Sequence, residues 1–114
     1  MKKYKKKKLT LKSKKLGAYL HKGLNHIKRK FPCLFDVYGK GLIASMIFDK
    51  RVPNINHKLK LIVEDAMKNG LLLCYTGRES IKIGPPLTIT KEALKEGLKI
   101  IEESVERIFK NEQN

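Results

Sequence analysis

Residues 34–48 read LFDVYGKGLIASMIF, two apolar runs separated by a short segment that contains two glycines. The runs 34–38 and 42–48 are rich in apolar and β-favouring side chains, which is typical of strands. Gly39 and Gly41 allow a tight turn or a bulge between the runs, because glycine adopts backbone angles that other residues avoid. The segment therefore predicts a β-hairpin.

Helical periodicity precedes and follows this hairpin. Between Ser13 and Phe31 apolar residues recur at steps of three and four, which predicts an amphipathic helix that Pro32 ends. After a loop predicted over 51–57, similar spacing predicts a second helix with a C-terminal cap at 69–70. The apolar positions of the two helices are Leu16, Leu20, Leu24, Ile27 and Phe31, and Leu59, Ile62, Val63, Ala66 and Met67.

A second hairpin and a last helix are predicted in the C-terminal half. The runs 71–75 and 80–83 are apolar or β-favouring and flank a four-residue turn. Pro85 and Pro86 then stop the strand, since proline cannot donate a hydrogen bond to a sheet. Thr90 is a good N-cap, and apolar residues at helical spacing follow it.

The predicted order of elements is helix, two strands, helix, two strands, helix. With 114 residues and 13.1 kDa, the chain suits one small domain with one modest core. These features predict an α+β fold in which three helices cover one face of a small sheet of about four strands.

The net charge of +15 is concentrated at the N-terminus. Residues 1–30 contain 13 of the 26 basic residues and none of the 11 acidic ones, so the rest of the chain carries only +2. A lysine block such as that in residues 1–12 repels itself, which predicts a disordered basic arm ahead of a domain over residues 13–110. The alternative interpretation is an arm that binds nucleic acid or another polyanion.

Residues suited to metal or nucleophile chemistry are scattered. The sequence has no phosphate-binding glycine loop, dinucleotide motif or zinc pattern, so neither a metal site nor a catalytic residue is predicted. His21, His26 and His57 are expected to be solvated side chains on helices or in a loop. Cys33 and Cys74 are expected to be buried and, without a secretory signal, reduced in a cytoplasmic protein. No apolar run is long enough to cross a bilayer, so no membrane partner is expected.

Five segments of the chain resemble segments of the class III pyridoxal-phosphate-dependent aminotransferases. Asp36–Leu42 (DVYGKGL) resembles the family's VRGxGL segment, and Ile81–Thr90 (IKIGPPLTIT) resembles its IRIAPPLTIT element. Glu64–Leu73 (EDAMKNGLLL) is similar to a family helix that ends in a glycine before a strand. Residues 13–24 and 91–108 are similar to the helices that open and close this region. Ordered motifs with matching separations are more specific than any one of them.

The resemblance covers about residues 13–110 and implies the C-terminal small domain of a fold-type I enzyme. Family members are dimers that use pyridoxal 5'-phosphate to transfer an amino group from an amino acid or ω-amine to a 2-oxo acid. The lysine that binds the cofactor, the aspartate that pairs with its pyridine nitrogen and the phosphate-binding loops belong to a larger domain upstream. None of those motifs occurs in this sequence, so the chain is not expected to be catalytic alone.

One functional position maps onto Lys82 by this resemblance. In much of the family, an arginine three residues before the first proline of the PP pair binds the substrate carboxylate, and Lys82 stands in that place before Pro85 and Pro86. Lysine offers one point charge where arginine offers a two-pronged fork. The resemblance thus implies a carboxylate contact at Lys82, while the simpler interpretation is an outward-facing strand residue.

Three interpretations of the whole chain stay open. The first interpretation is a truncated or decayed piece of a class III aminotransferase. The second is a subunit that docks on a separately encoded large domain or self-associates. The third interpretation is a small basic module that binds nucleic acid or another polyanion through residues 1–12.

Overall fold

The computed structural model describes residues 2–85 and 89–112. Its elements in chain order are α1 (Lys2–Lys30), β1 (Leu34–Lys40), β2 (Ile43–Phe48), α2 (Ile55–Lys68), β3 (Cys74–Tyr75), β4 (Ser80–Ile83) and α3 (Lys91–Glu112). The order of three helices and four strands is the predicted one, and the predicted α+β fold is confirmed.

The four strands form one antiparallel sheet in the order β1-β2-β4-β3. β1 and β2 form the predicted hairpin, with a bulge between Leu34 and Asp36 in β1. β4 pairs with its hairpin partner β3 and also with β2, and the second pairing places Ser45 opposite Lys82. Strands from the two halves of the sequence therefore lie side by side in the centre of the sheet.

The helices cover one face of the sheet, which we call the inner face. α1 and α2 contact the strands directly, and α3 packs against both helices. Ala44, Met46 and Phe48 of β2 point into this layer and are at most 2% exposed. The helices bury most of the apolar positions that the periodicity predicts, including Leu16, Leu20, Leu24, Ile27, Leu59, Ile62, Ala66, Leu94, Ile101 and Val105. Met67, at the end of α2, is an exception and is 55% exposed. Removal of these side chains from water is the main stabilising contribution to the fold.

Both predicted helix caps are present. The Thr90 hydroxyl accepts a hydrogen bond from the Ala93 N–H at 3.1 Å, which satisfies a free donor in the first turn of α3. At the end of α2, Gly70 has a φ of 94°, and the Leu71 N–H donates to the carbonyl oxygen of Ala66 at 2.9 Å. This is the Schellman arrangement, which satisfies the last carbonyls of a helix.

The first helix is longer than the sequence predicts. α1 begins at Lys2, so residues 2–12 are helical in the structure, in place of the predicted disordered arm. Lysine has a good helix propensity, and the residues continue a helix that the core already holds further along the chain. The division of the chain at residue 12 stays a prediction.

Two further boundaries differ from the predicted ones. α2 begins at Ile55, inside the predicted loop, and β3 occupies only the last two residues of the predicted strand 71–75. The Leu71 N–H closes the cap of α2, so Leu71 does not pair with β4. Pro85 follows β4 outside regular structure, and Pro86 lies outside the described residues.

Candidate functional site

The turn between β1 and β2 is held against α1 by a close approach of two backbones. A Cβ atom on Gly17 would lie 2.5 Å from the carbonyl carbon of Gly41, so only glycine fits at position 17. His21 Nε2 lies 3.0 Å from the Gly41 carbonyl oxygen. Gly39 and Gly41, the predicted turn formers, have φ angles of 128° and 61°. His21 is therefore a hydrogen-bonded, half-buried side chain, and the prediction that it is solvated is wrong.

The face of the sheet opposite the helices, which we call the outer face, carries Lys82 in a row of four side chains. Tyr38, Ser45, Lys82 and Cys74 are neighbours in this order across β1, β2, β4 and β3. Directly opposed residues of antiparallel strands lie on the same face. Ser45 is half-buried, and the other three are exposed. An ammonium group, two hydroxyls and a thiol therefore share one accessible row.

Two charged side chains on the outer face, Asp36 and Lys82, differ in whether neighbouring groups already bind them. Asp36 accepts hydrogen bonds from the Val37 N–H at 2.8 Å and from the Lys28 ammonium group at 3.4 Å, and the Tyr38 hydroxyl lies near its carboxylate. The nearby Tyr38 hydroxyl, the Val37 N–H and Lys28 all favour the charged carboxylate and hold the pKa of Asp36 below its ordinary value. Lys82 makes no ion pair within the described part of the chain. Its ammonium group is therefore able to bind an external anion.

Large apolar side chains are exposed around this row. Ile43 is 54% exposed in β2, Phe35 is 60% exposed at the bulge of β1, and Leu72 is 78% exposed just before β3. Exposed apolar groups on one face are typical of a surface that packs against another part of a protein. The outer face thus combines a free cation with a surface suited to packing.

The two cysteines lie in different surroundings. Cys33 packs partly against the core, and burial raises the pKa of its thiol to about 11, because the thiolate is poorly solvated there. Cys74 is exposed on the outer face, so the prediction that it is buried is wrong. Over the described ranges, no three histidine, cysteine or acidic side chains are grouped in a way that could hold a metal ion. None of the helices in these ranges has the length and apolar character needed to cross a bilayer.

A comparison with known protein families identifies the family of this chain. The family model of the class-III aminotransferases matches residues 1–105. This chain belongs to the class III aminotransferases. The match begins at Met1, ahead of the domain start that we predicted at Ser13.

Individual relatives agree with the family match. The chain is 38% identical over 100 residues to a 5-aminovalerate aminotransferase of Pseudomonas putida, covering 84% of this chain and 24% of the relative. It is 33% identical over 100 residues to a leucine/methionine racemase of Thermococcus litoralis, covering 85% and 23%. The crystal structure of an acetylornithine aminotransferase from Elizabethkingia anophelis superposes with a TM-score of 0.78 at 28% identity, covering 90% of this chain and 26% of that one. The chain thus spans about a quarter of the length of these relatives.

The described residues do not by themselves fit pyridoxal phosphate, the cofactor of the family. A lysine that binds this cofactor needs a desolvated amine beside a held phosphate group. The Lys82 side chain is exposed to solvent, and Lys58, the buried lysine of the described ranges, packs with its ammonium group 5.5 Å from the centre of the Phe109 ring. Neither lysine combines a desolvated amine with a held phosphate group, so neither fits the role of the lysine that binds the cofactor.

The neighbours of Lys82 are the part of the site that the sequence did not show. Alternation within each strand could have shown that Tyr38, Ser45 and Cys74 face outward. Their arrangement in one row with Lys82 depends on the pairing of β2 with β4, which are not consecutive strands.

Proposed function

We propose that this chain supplies the small-domain part of a pyridoxal-phosphate-dependent aminotransferase. The complete enzyme would transfer an amino group from an amino acid or ω-amine to a 2-oxo acid. The observation that carries this proposal is Lys82, an exposed ammonium group on the outer face without an ion pair in the described ranges. By the resemblance of the segment before Pro85 and Pro86, it corresponds to the position at which much of the family binds the substrate carboxylate.

Lys82 would bind the carboxylate of the substrate. An ammonium group attracts a carboxylate as a point charge, whereas a guanidinium group can donate to both oxygens at once. Ser45 and Cys74, which flank Lys82 in the row, would lie beside the bound group. Lys82 would therefore bind an anion without strictly fixing its orientation.

The outer face would pack against the cofactor-binding part of the enzyme. Its exposed apolar residues Ile43, Phe35 and Leu72 support this role, because they would leave water on association. The chain alone would then be inactive, whether it acts as part of a longer protein or as a subunit that docks on a separate large domain. Self-association through the same face is the competing possibility, and a gel-filtration mass of the full chain distinguishes it. We also propose a cytoplasmic location, which the two free thiols support.

A chimera tests the proposal. This chain would replace the matching C-terminal quarter of the Pseudomonas putida 5-aminovalerate aminotransferase, which covers 24% of that enzyme. We expect the chimera to transaminate and the isolated chain to show no turnover and no lysine that borohydride fixes to the cofactor. In the chimera, Lys82→Gln should raise the KM of the carboxylate substrate roughly tenfold with a smaller change in kcat, since a charge-assisted hydrogen bond is lost.

The matched control is Lys40→Gln, which removes one exposed lysine from β1. It should change KM less than about twofold, because long-range effects of an exposed charge are screened by salt. Lys82→Arg should retain low KM, since it keeps the charge. Equal effects of Lys82→Gln and Lys40→Gln would contradict the role of Lys82. Turnover by the isolated chain would contradict the need for a partner domain.

A further inference from the structure

The exposed side of α1 carries basic side chains at a regular interval. Lys15, Lys22 and Arg29 are seven residues apart, and all three are exposed. Seven residues correspond to nearly two helical turns and a rise of about 10.5 Å, so the three groups form a line along one side of the helix. The sequence continues the interval with a lysine at position 8, within the range of α1.

These charges are not neutralised within the described part of the chain. The ion pairs of α1 there join Lys28 to Asp36 and Lys30 to Glu102, both at the C-terminal end of the helix. Lys15, Lys22 and Arg29 make no ion pair with any described residue. The line is therefore a strip of positive potential that attracts a polyanion.

The opposite side of α1 determines which polyanion fits. Its apolar residues Leu16, Leu20, Leu24 and Ile27 are at most 7% exposed, because they pack into the core. A helix that binds a membrane surface needs such a face free to enter the lipid. The packing of α1 thus removes most of the apolar contribution to membrane binding, with Leu11 left 56% exposed, and leaves a mainly electrostatic surface.

The aromatic side chain beside this surface favours a duplex over a single strand. Tyr19 lies on α1 with the Lys91 ammonium group 5.2 Å from the centre of its ring. Single-stranded nucleic acid is held by bases stacked on exposed aromatic rings, and this ring already has a partner. Phosphate contacts along a duplex need only a helix with spaced cations, and the major groove is wide enough for a helix.

We propose that the exposed side of α1 binds the phosphate backbone of double-stranded nucleic acid through Lys15, Lys22 and Arg29. The contact is independent of base sequence, because point charges on phosphates carry no sequence information. This activity is separate from the proposed aminotransferase role, because it uses side chains of α1, whereas Lys82 lies on β4.

The test uses the full chain and a fluorescein-labelled DNA duplex of 24 base pairs, with binding followed by anisotropy between 50 and 300 mM salt. We expect the affinity to fall steeply with salt and to be the same for two unrelated sequences. The variant K15Q/K22Q/R29Q should bind at least roughly tenfold more weakly, with a salt slope reduced by about 3, one for each lost phosphate contact.

The matched control is K68Q/K95Q/K99Q, which removes the same charge from exposed positions of α2 and α3. Lys99 lies 4.0 Å from Glu103, so part of this charge is already paired. The control should change duplex affinity less than about twofold, and circular dichroism should show both variants folded. The proposal is overturned if the chain does not bind the duplex at 50 mM salt, or if both variants lose the same affinity. It is also overturned if vesicles with 30% phosphatidylserine bind the chain more tightly than the duplex does.

Discussion

Along β2, successive side chains enter two different environments. Ala44 and Met46 on the inner face are fully buried, whereas Ile43 on the outer face is 54% exposed. The same contrast occurs in β4, where Ile81 is buried and Lys82 is exposed. Side chains on the inner face explain why the chain folds, whereas those on the outer face remain accessible to solvent and contribute little to the core. Stability and function should therefore respond to different substitutions within one strand.

The strongest test of this contrast is Phe48→Ala. Phe48 is 2% exposed and stacks on Phe109 of α3, with ring centroids 6.3 Å apart. Its removal should lower the free energy of unfolding by about 3–5 kcal/mol, measured by urea denaturation, because a cavity opens in the core. Ile43→Ala on the other face of β2 is the control and should cost under about 1 kcal/mol. Similar losses in both variants would show that the outer face belongs to the core.

The cysteines offer a second test, through reactivity instead of stability. Burial raises the pKa of Cys33 from 9.0 to about 11, which lowers its thiolate fraction at pH 8 about hundredfold. Cys74 is exposed on the outer face. In Cys33→Ser and Cys74→Ser variants, iodoacetamide labelling followed by mass spectrometry should therefore be far faster at Cys74. The rate at Cys33 should continue to rise from pH 9 to 11, since its thiolate forms in that range. Equal rates at pH 8 would contradict the different burial of the two thiols.

A smaller loss of stability is expected where α1 packs against the β1–β2 turn. Gly17→Ala should lower the free energy of unfolding by about 1–2 kcal/mol, because the new methyl group would lie 2.5 Å from the backbone of Gly41. Gly97→Ala in α3 is the matched control, since its methyl group would lie 3.4 Å from the Leu71 side chain, an ordinary contact. It should be neutral or stabilise the helix by up to about 1 kcal/mol. Thermal unfolding of both variants provides the measurement, and a stabilised Gly17→Ala would disprove the close approach of α1 to the turn.

Much of the structure on the inner face, including the helices that cover it, was predictable because it follows from local sequence patterns. Apolar spacing located most of the buried residues of the three helices, and Thr90 and Gly70 marked the two caps. It was wrong for the exposed Met67, and it missed the buried Ile55, which lies in the predicted loop. Element ends were less predictable where two local signals compete. Leu71 belongs to a strand-favouring run, but its N–H closes the cap of α2, and β3 begins only at Cys74.

The outer face was predictable only in part. The strand SIKI and the position of Lys82 before the prolines were visible in the sequence. Its neighbours Ser45 and Cys74 were not, because the order of strands in a sheet depends on long-range packing that no local pattern records. The hydrogen bond of His21 to the β1–β2 turn was missed for the same reason, since it joins residues 20 positions apart.

The central place of β2 also sets the order in which the sheet can form. β1 and β2 are joined by a two-residue turn, so their hairpin can close within about 1–10 μs. β4 ends 35 residues after Phe48 in the sequence. Because α2 lies between the two strands, the ribosome must synthesise α2 before β4. A ribosome that adds 5–20 residues per second needs a few seconds for this distance. During that time the second edge of β2 has no strand to pair with, and it can pair with another chain. Aggregation during synthesis should therefore begin at β2, a strand that is paired on both edges once the sheet is complete.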